Sequence, residues 1–479
     1  MLISTKLLSL LKTFSKHDLN SFKKFVASPF HNEQEELVQL FAIIDQYFRR
    51  SEKEQKTNPL EKEAIWEQIF GKKKYNDVRF RRLSSDLIKL VYSFLSYNIY
   101  QKDGLSEQLN LLKALRQLSL NKHFDSTFKQ ITQSLNKNEL RNVDYHLSSF
   151  SSNYNLFNFP KNVQAKIKLF NNLEQADYHL ECFFIIKKLE NYCDYIGYKE
   201  GISFDVKITL PPSFLEYVEN SIFIKDPFVK AYFLVAKMLL EPEETAYFLN
   251  LKEHLEKNSI HFTLQELDTF YIHLKNYCIV KINMGEIAYF IRQLFDIFKT
   301  LLKEKIILKD GNISPQNYKN IITVGLQVKE YDWVENFIQT YTNYLPKSHR
   351  ENALTFNLAN VYFSQKKYDQ VIEQLREVED KNHVYALGGK LLLLKTYYEL
   401  NEYSPLDSLT DSFRIYIRRN KIISREVKQQ YLNLLRFVKK LSSTIRGDKK
   451  ALDKIRGQVA KCKALAGKKW ILEKVEELA

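Results

Sequence analysis

Apolar residues recur along most of this chain at helical rather than strand spacing. Leu83, Leu87, Leu90 and Phe94 fall three or four positions apart, as do Ile287, Phe290, Ile291, Leu294 and Phe298. The second set is wide enough to be covered on more than one side. Period-two alternation is confined to residues 202–210, where Phe204, Val206, Ile208 and Leu210 precede Pro211 and Pro212. That stretch reads as an extended connector, with a short strand as the alternative. Helix starts are marked by capping chemistry. Asn32 with Glu35, and Thr263 with Glu266, have capping-box spacing, while Asp226 and Ser314 each stand directly before a proline that needs no amide donor.

These patterns predict an all-α protein, a superhelical stack of antiparallel helix hairpins preceded by an N-terminal helical region. Turn residues agree, with only 12 glycines and 10 prolines among 479 residues, far fewer than an all-β chain of this length would use. We divide the chain into an N-terminal helical region (residues 1–104, with a candidate helix-turn-helix at 64–94), a helix-hairpin array (105–420, clearest at 314–415) and basic C-terminal helices (421–479).

The repeat is most legible in residues 351–380. Leu358, Ala359 and Tyr362 share one helix face, Lys367, Tyr368 and Asp369 make a turn, and Val371, Ile372, Leu375 and Val378 open the next helix. Tyr331, Tyr368 and Tyr403 occupy equivalent places 37 and 35 residues apart, and a helix bearing Leu393 and Tyr397 precedes the last of them. Weaker echoes lie at Leu118 with residues 122–125, and at Tyr192 with Gly197 and Tyr198. The unit resembles a tetratricopeptide repeat, whose period is about 34 residues. That resemblance implies hairpins that cannot bury their apolar faces alone, with Leu358, Ala359, Tyr362, Tyr368, Val371 and Tyr397 as packing residues. Val371, Leu406, Ile322 and Leu394 stand where the family pattern has small residues, so no ligand pocket of that family is carried over. With its opening Ser28-Pro29-Phe30-His31-Asn32 and its ending Lys469-Trp470-Ile471-Leu472-Glu473-Lys474, the chain is similar to uncharacterised bacterial helical-repeat proteins.

Charge changes this picture at one end. The formal net charge is +15, and residues 414–479 carry 19 Lys and Arg against 6 Asp and Glu, leaving a net of only +2 for residues 1–413. Such an end suits phosphate, an acidic protein surface or anionic lipid. No run of about 18 apolar residues is present, and the segment from Leu7 to Leu11 is too short for a signal-peptide core, so a cytoplasmic protein is expected. Cys182, Cys193, Cys278 and Cys462 form no CxxC pair and are expected to be reduced, buried thiols.

Catalytic and cofactor signatures are not found. Ten histidines never fall at HExxH spacing, and although His179 and Cys182 lie one helical turn apart, no third metal ligand is readable beside them. Gly388-Gly389-Lys390 lacks the glycine spacing and the Ser or Thr of a phosphate loop; close helix packing is the expected role of the paired glycines. We therefore expect no enzyme, no metal and no cofactor.

Three features are candidates for function. One is the hairpin at 64–94, where Lys72, Lys73 and Lys74 at the turn could meet phosphates and Arg79 and Arg82 could reach base edges. A second is the basic end, with Arg418, Arg419, Lys421, Lys439, Lys440, Lys449, Lys450, Lys468 and Lys469 interspersed with Tyr416, Tyr431 and Trp470. The alternative there is a solvated face behind inward-facing Leu452, Ile455, Val459 and Cys462. The third is the groove that stacked hairpins create, suited to a peptide or partner helix. An interaction scaffold binding a protein or peptide in that groove is the leading expectation; a nucleic-acid-binding regulator or ribonucleoprotein-associated factor using the basic patches is the alternative.

Overall fold

A computed structural model describes residues 5–50, 60–159, 166–167, 169–199, 208–375, 383–420 and 423–479. All regular structure among them is helical, and no helix is long and apolar enough to cross a membrane. The alternating stretch at 202–210 lies mostly outside the described residues, and its described end, 208–210, forms no strand. Val378 and Lys421 lie outside them too.

The chain divides into two compact units, one comprising residues 1–190 and 212–229 and the other 191–211 and 230–479. In the first, helices α1 (Thr5–Leu11), α2 (Lys16–Val26), α3 (Glu35–Phe48), α4 (Lys62–Phe70) and α5 (Asp77–Lys102) share one core. Phe22, Phe41, Phe80, Leu87 and Phe94 lie at its centre, with Phe22 meeting Phe41 edge-on at 4.7 Å between ring centroids. The Leu83 to Phe94 stripe is thus the inner face of α5, which runs eight residues beyond Phe94, to Lys102. Next come α6 (Gly104–Gln117), α7 (Asn121–Lys137) and α8 (Val143–Phe157), joined around Leu112, Phe124 and Ile131. Helix α9 (Phe170–Lys199) belongs to this unit as far as residue 190, α10 (Phe214–Asn220) wholly, and α11 (Pro227–Leu240) as far as residue 229. Because α9 is continuous to Lys199, the turn suggested near Gly197 is not there.

The second unit carries α12 (Thr245–Lys257), α13 (Leu264–Asn283), α14 (Ile287–Lys303), α15 (Pro315–Gln327), α16 (Tyr331–Tyr341), α17 (Arg350–Ser364), α18 (Tyr368–Leu375), α19 (His383–Glu399), α20 (Tyr403–Arg419), α21 (Arg425–Ser442), α22 (Lys449–Lys461) and α23 (Lys468–Leu478). Helix α14 buries Phe290, Ile291, Leu294, Phe295, Ile297, Phe298, Leu301 and Leu302, the wide stripe expected, while Ile287 at its start is exposed. Ala359, Val371, Leu375 and Leu392 bring α17, α18 and α19 together, with Tyr362 partly buried against them; Leu358 and Tyr368 are half-buried. Tyr397 packs at the edge of the C-terminal core, which extends through α23.

Helix starts follow the capping chemistry in three of four places. Thr263 and Glu266 exchange hydrogen bonds as a capping box, Ser314 Oγ accepts from Asn317 N at 3.1 Å, and Asp226 Oδ1 accepts from Phe228 N at 2.9 Å and Val229 N at 3.2 Å. Asn32 does not cap α3. Its Oδ1 takes the Gln34 amide and its Nδ2 donates to the carbonyls of Val26 and Gln34, so it braces the loop instead.

One turn recurs between successive helices. Ser119, Lys329, Lys366 and Asn401 all have φ between 56° and 62°. At each, the amide that follows reaches back to a carbonyl in the last turn of the preceding helix: Leu120 to Leu115, Glu330 to Gly325, Lys367 to Tyr362 and Glu402 to Tyr397, at 2.9–3.0 Å. This is the Schellman ending, which satisfies orphan carbonyls and reverses the chain within a few residues.

Candidate functional site

Helices α13, α14 and α15 of the second unit enclose a groove of about 370 Å³. Its apolar lining includes Ile272 and Ile279 from α13, both more than two-fifths exposed, and Ile291, Leu294 and Phe298 from α14. Asn276, Asn317, Asn320 and Gln327 add amides. The side chains of Asn276 and Asn317 have no hydrogen-bond partner among the described residues; Asn320 uses only its oxygen, which accepts from Gln316 Nε2 at 2.9 Å. Exposed isoleucines beside uncommitted amides match what a peptide brings, apolar side chains and an unsatisfied backbone. A second depression, of about 630 Å³, lies among α12, α14 and α16. Its aromatic wall, Trp333, Phe337 and Tyr341, is stacked ring on ring, and its rim mixes Lys252, Lys299 and Lys303 with Glu256 and Asp296.

The candidate cations differ in what they already hold. In the first unit, α4 and α5 do form a helix pair across Gly71, whose φ of 64° turns the chain, with Trp66 Nε1 donating to the Lys73 carbonyl at 2.8 Å. Lys72, Lys73, Lys74 and Arg82 are exposed, with side chains making no ion pair among the described residues. Arg79 is committed, its guanidinium 4.4 Å from the Phe70 ring centroid and 3.3 Å from Glu36 Oε1.

In the second unit, Arg418 and Arg419 end α20, and Lys439 and Lys440 lie in the last turn of α21, where cations complement the negative end of the helix dipole. Lys440 is half-buried against Phe437 and donates to Gln458 Oε1; Lys439 is exposed. Lys449 and Lys450 open α22, the end that disfavours cations, and both are exposed. Leu452, Ile455 and Val459 do face the core and Cys462 is half-buried. The aromatic residues read as interspersed with these cations are not a stacking platform. Trp470 is buried with its Nε1 donating to Glu399 Oε1 at 2.8 Å, and Tyr431 packs against Phe413. Glu399 also holds the buried ammonium of Lys474, so this pair fastens α23 to α19.

A buried polar cluster in the first unit joins His179 and Cys182 to residues far away in sequence. His146 on α8 sits between two partners, with Nδ1 3.0 Å from Nδ1 of His179 and Nε2 3.1 Å from Oδ2 of Asp226. Donor atoms of His146, Cys182 and Asp226 all lie within 4.8 Å of one another, and all three residues are buried. Burial pushes the Cys182 thiol up to about 12, with the Asp226 carboxylate adding to the effect. Burial likewise draws His179 down to about 4, helped by His146. The four residues span positions 146 to 226, and only the His179–Cys182 spacing was readable as a pair.

The chain matches no protein-family model, no curated protein and no solved structure.

Proposed function

We propose that this chain is a non-catalytic, cytoplasmic interaction scaffold that binds an extended protein segment in the groove formed by α13, α14 and α15. The observation that carries this reading is the pairing of exposed Ile272 and Ile279 with the uncommitted amides of Asn276 and Asn317. Amides can hydrogen-bond a peptide backbone of any sequence, while the isoleucines accept its apolar side chains. The repeated Schellman turns at Lys329, Lys366 and Asn401 favour a tetratricopeptide-like superhelical stack around it.

The alternative, a nucleic-acid-binding regulator, draws on the exposed cations Lys72, Lys73, Lys74 and Arg82, which make no ion pair among the described residues, and on the exposed Lys439, Lys449 and Lys450. Arg79, held by Phe70 and Glu36, contributes less to it than its position suggested.

The two readings separate in one experiment. The full chain is used to capture partners from lysate with and without nuclease treatment, as wild type, as Ile272→Lys/Ile279→Lys and as Lys439→Glu/Lys449→Glu/Lys450→Glu, with captured partners cross-linked in place. All substituted side chains are exposed, so the helices should survive. The scaffold reading expects a defined protein cross-linked to α13 or α15, lost in the isoleucine variant and kept in the charge-reversed one. Capture that ignores the isoleucine change and disappears with nuclease or charge reversal would move the function to the basic end.

A further inference from the structure

We propose that His146, Cys182 and Asp226 form a buried site for a divalent transition metal, zinc by its ligand chemistry, that ties α8, α9 and the start of α11 together.

The donor set is one nitrogen, one sulfur and one oxygen, all within 4.8 Å of one another. Zinc binds these atoms at about 2.0–2.3 Å, so ligand atoms on its coordination sphere stand about 3.3–3.8 Å apart. The His146 Nε2 to Asp226 Oδ2 separation of 3.1 Å is already close to that, and small side-chain rotations bring in the sulfur. Thiolate with imidazole selects zinc over magnesium or calcium, which prefer oxygen alone. A thiolate and a carboxylate also cancel the two positive charges, which matters in a site this buried.

The surroundings supply what a metal site needs beyond its ligands. Asp226 is held by its other oxygen, since Oδ1 accepts the Phe228 and Val229 amides and leaves Oδ2 directed at the cluster. His179 Nδ1 lies 3.0 Å from the far nitrogen of His146, in place to accept the ring N–H of a metal-bound imidazole and fix its orientation. Without an ion the hydrogens distribute otherwise. Facing the carboxylate, His146 Nε2 carries the hydrogen and His179 Nδ1–H donates to His146 Nδ1. On binding, the thiol proton leaves to solvent as the sulfur–metal bond forms. The two imidazoles retain one ring proton each, rearranged so that His146 Nε2 faces the ion and His146 Nδ1–H donates to His179.

A hydrogen-bond network alone would also satisfy these groups, since it accounts for both histidines and the carboxylate, and the Cys182 thiol has Tyr178 as a hydrogen-bond partner. What points to a metal is the convergence of one nitrogen, one sulfur and one oxygen from three separate parts of the chain within 4.8 Å.

The test uses the full chain without an affinity tag. After chelation and reduction it is titrated with Co²⁺, and separately loaded with Zn²⁺, dialysed and analysed for metal. The expected result is one retained zinc per chain, a sulfur-to-cobalt charge-transfer band, and an unfolding midpoint several degrees higher with zinc. All three should be lost in Cys182→Ser and in Asp226→Asn. The asparagine keeps the Oδ1 cap, so that variant remains informative should Cys182→Ser fail to fold. No retained zinc, or a charge-transfer band that persists in Cys182→Ser and so belongs to Cys193, Cys278 or Cys462, would overturn the site.

Discussion

Gly325 shows how far one missing methyl group can matter here. A Cβ built at this position would run into Cγ2 of Val334 and come within 3.3 Å of the Phe295 ring, both buried side chains of neighbouring helices. Valine cannot swing its methyl away as a long side chain can, so Gly325→Ala should destabilise the second unit by about 1–3 kcal/mol, the usual cost of overpacking. Urea unfolding followed by helical circular dichroism would measure it, and a variant as stable as wild type would show that α15 and α16 can separate freely. Gly388 is also crowded, with Phe356 2.8 Å from its built Cβ, as expected for close helix packing, whereas Gly389 has room. At this scale the sequence was readable where a residue acts on its neighbours. Thr263 and Glu266 satisfy each other's orphan donors from three positions apart, and such spacing can be seen in any helix start. Asn32 has the same spacing but is drawn into the loop by the Val26 carbonyl, six residues back, a contact that spacing does not encode. The meeting of His146 and Asp226 with Cys182 was invisible for a stronger reason, since it exists only once separate helices have packed.

Among the elements, the recurring turn between helices is what the tyrosine spacing had registered. The turn sits one position earlier than the residues suggested, on Lys366 rather than on Lys367 to Asp369, because the residue in the left-handed conformation stands just after the C-cap, here Gln365. An L-residue with a Cβ is strained there by roughly 1–2 kcal/mol, partly offset if glycine's extra freedom in the unfolded chain is counted against it. Lys329→Gly and Lys366→Gly should therefore each stabilise the second unit, by about 0.5–1 kcal/mol. The two positions are far enough apart in the chain to be combined, and the double variant should show roughly the sum. An unchanged or lower denaturation midpoint for both would mean that the lysine side chains make compensating contacts. Helix identity and the apolar faces of α5 and α14 were legible because period 3.6 is a local property. The continuity of α9 past Gly197 was not, because one glycine costs a helix only about 1 kcal/mol relative to alanine and does not by itself stop it.

For the molecule as a whole, acid is the condition that tests how charge and burial combine. Burial holds His273 on α13 down at about 4, below an unfolded-state value of about 6.5. Below 6.5 the unfolded chain then takes up a proton that the folded chain refuses, so stability falls as the pH drops from about 6.5 toward 4 and this contribution levels off beneath it. Carboxylates respond in a lower window and with the same outcome. Hydrogen bonds from Tyr75, Arg81 and Lys62 hold Asp77 at about 2, so its stabilisation is present above the ordinary carboxylate range and lost as the pH falls toward 2. Meanwhile each protonated carboxylate raises a net charge that is already +15, adding repulsion. Acid unfolding should therefore proceed in two windows, a histidine-linked loss above pH 4 and a carboxylate-linked, salt-sensitive loss below it. Replacing the titrating ring separates them. In His273→Gln, the urea midpoint should depend less on pH between 6.5 and 4 than in wild type, while its behaviour below pH 4, and the recovery produced there by added salt through screening, should be unchanged. Equal slopes for the two proteins in the upper window would mean that His273 takes up its proton in the folded state as readily as in the unfolded one, and that α13 moves enough to let water reach the ring.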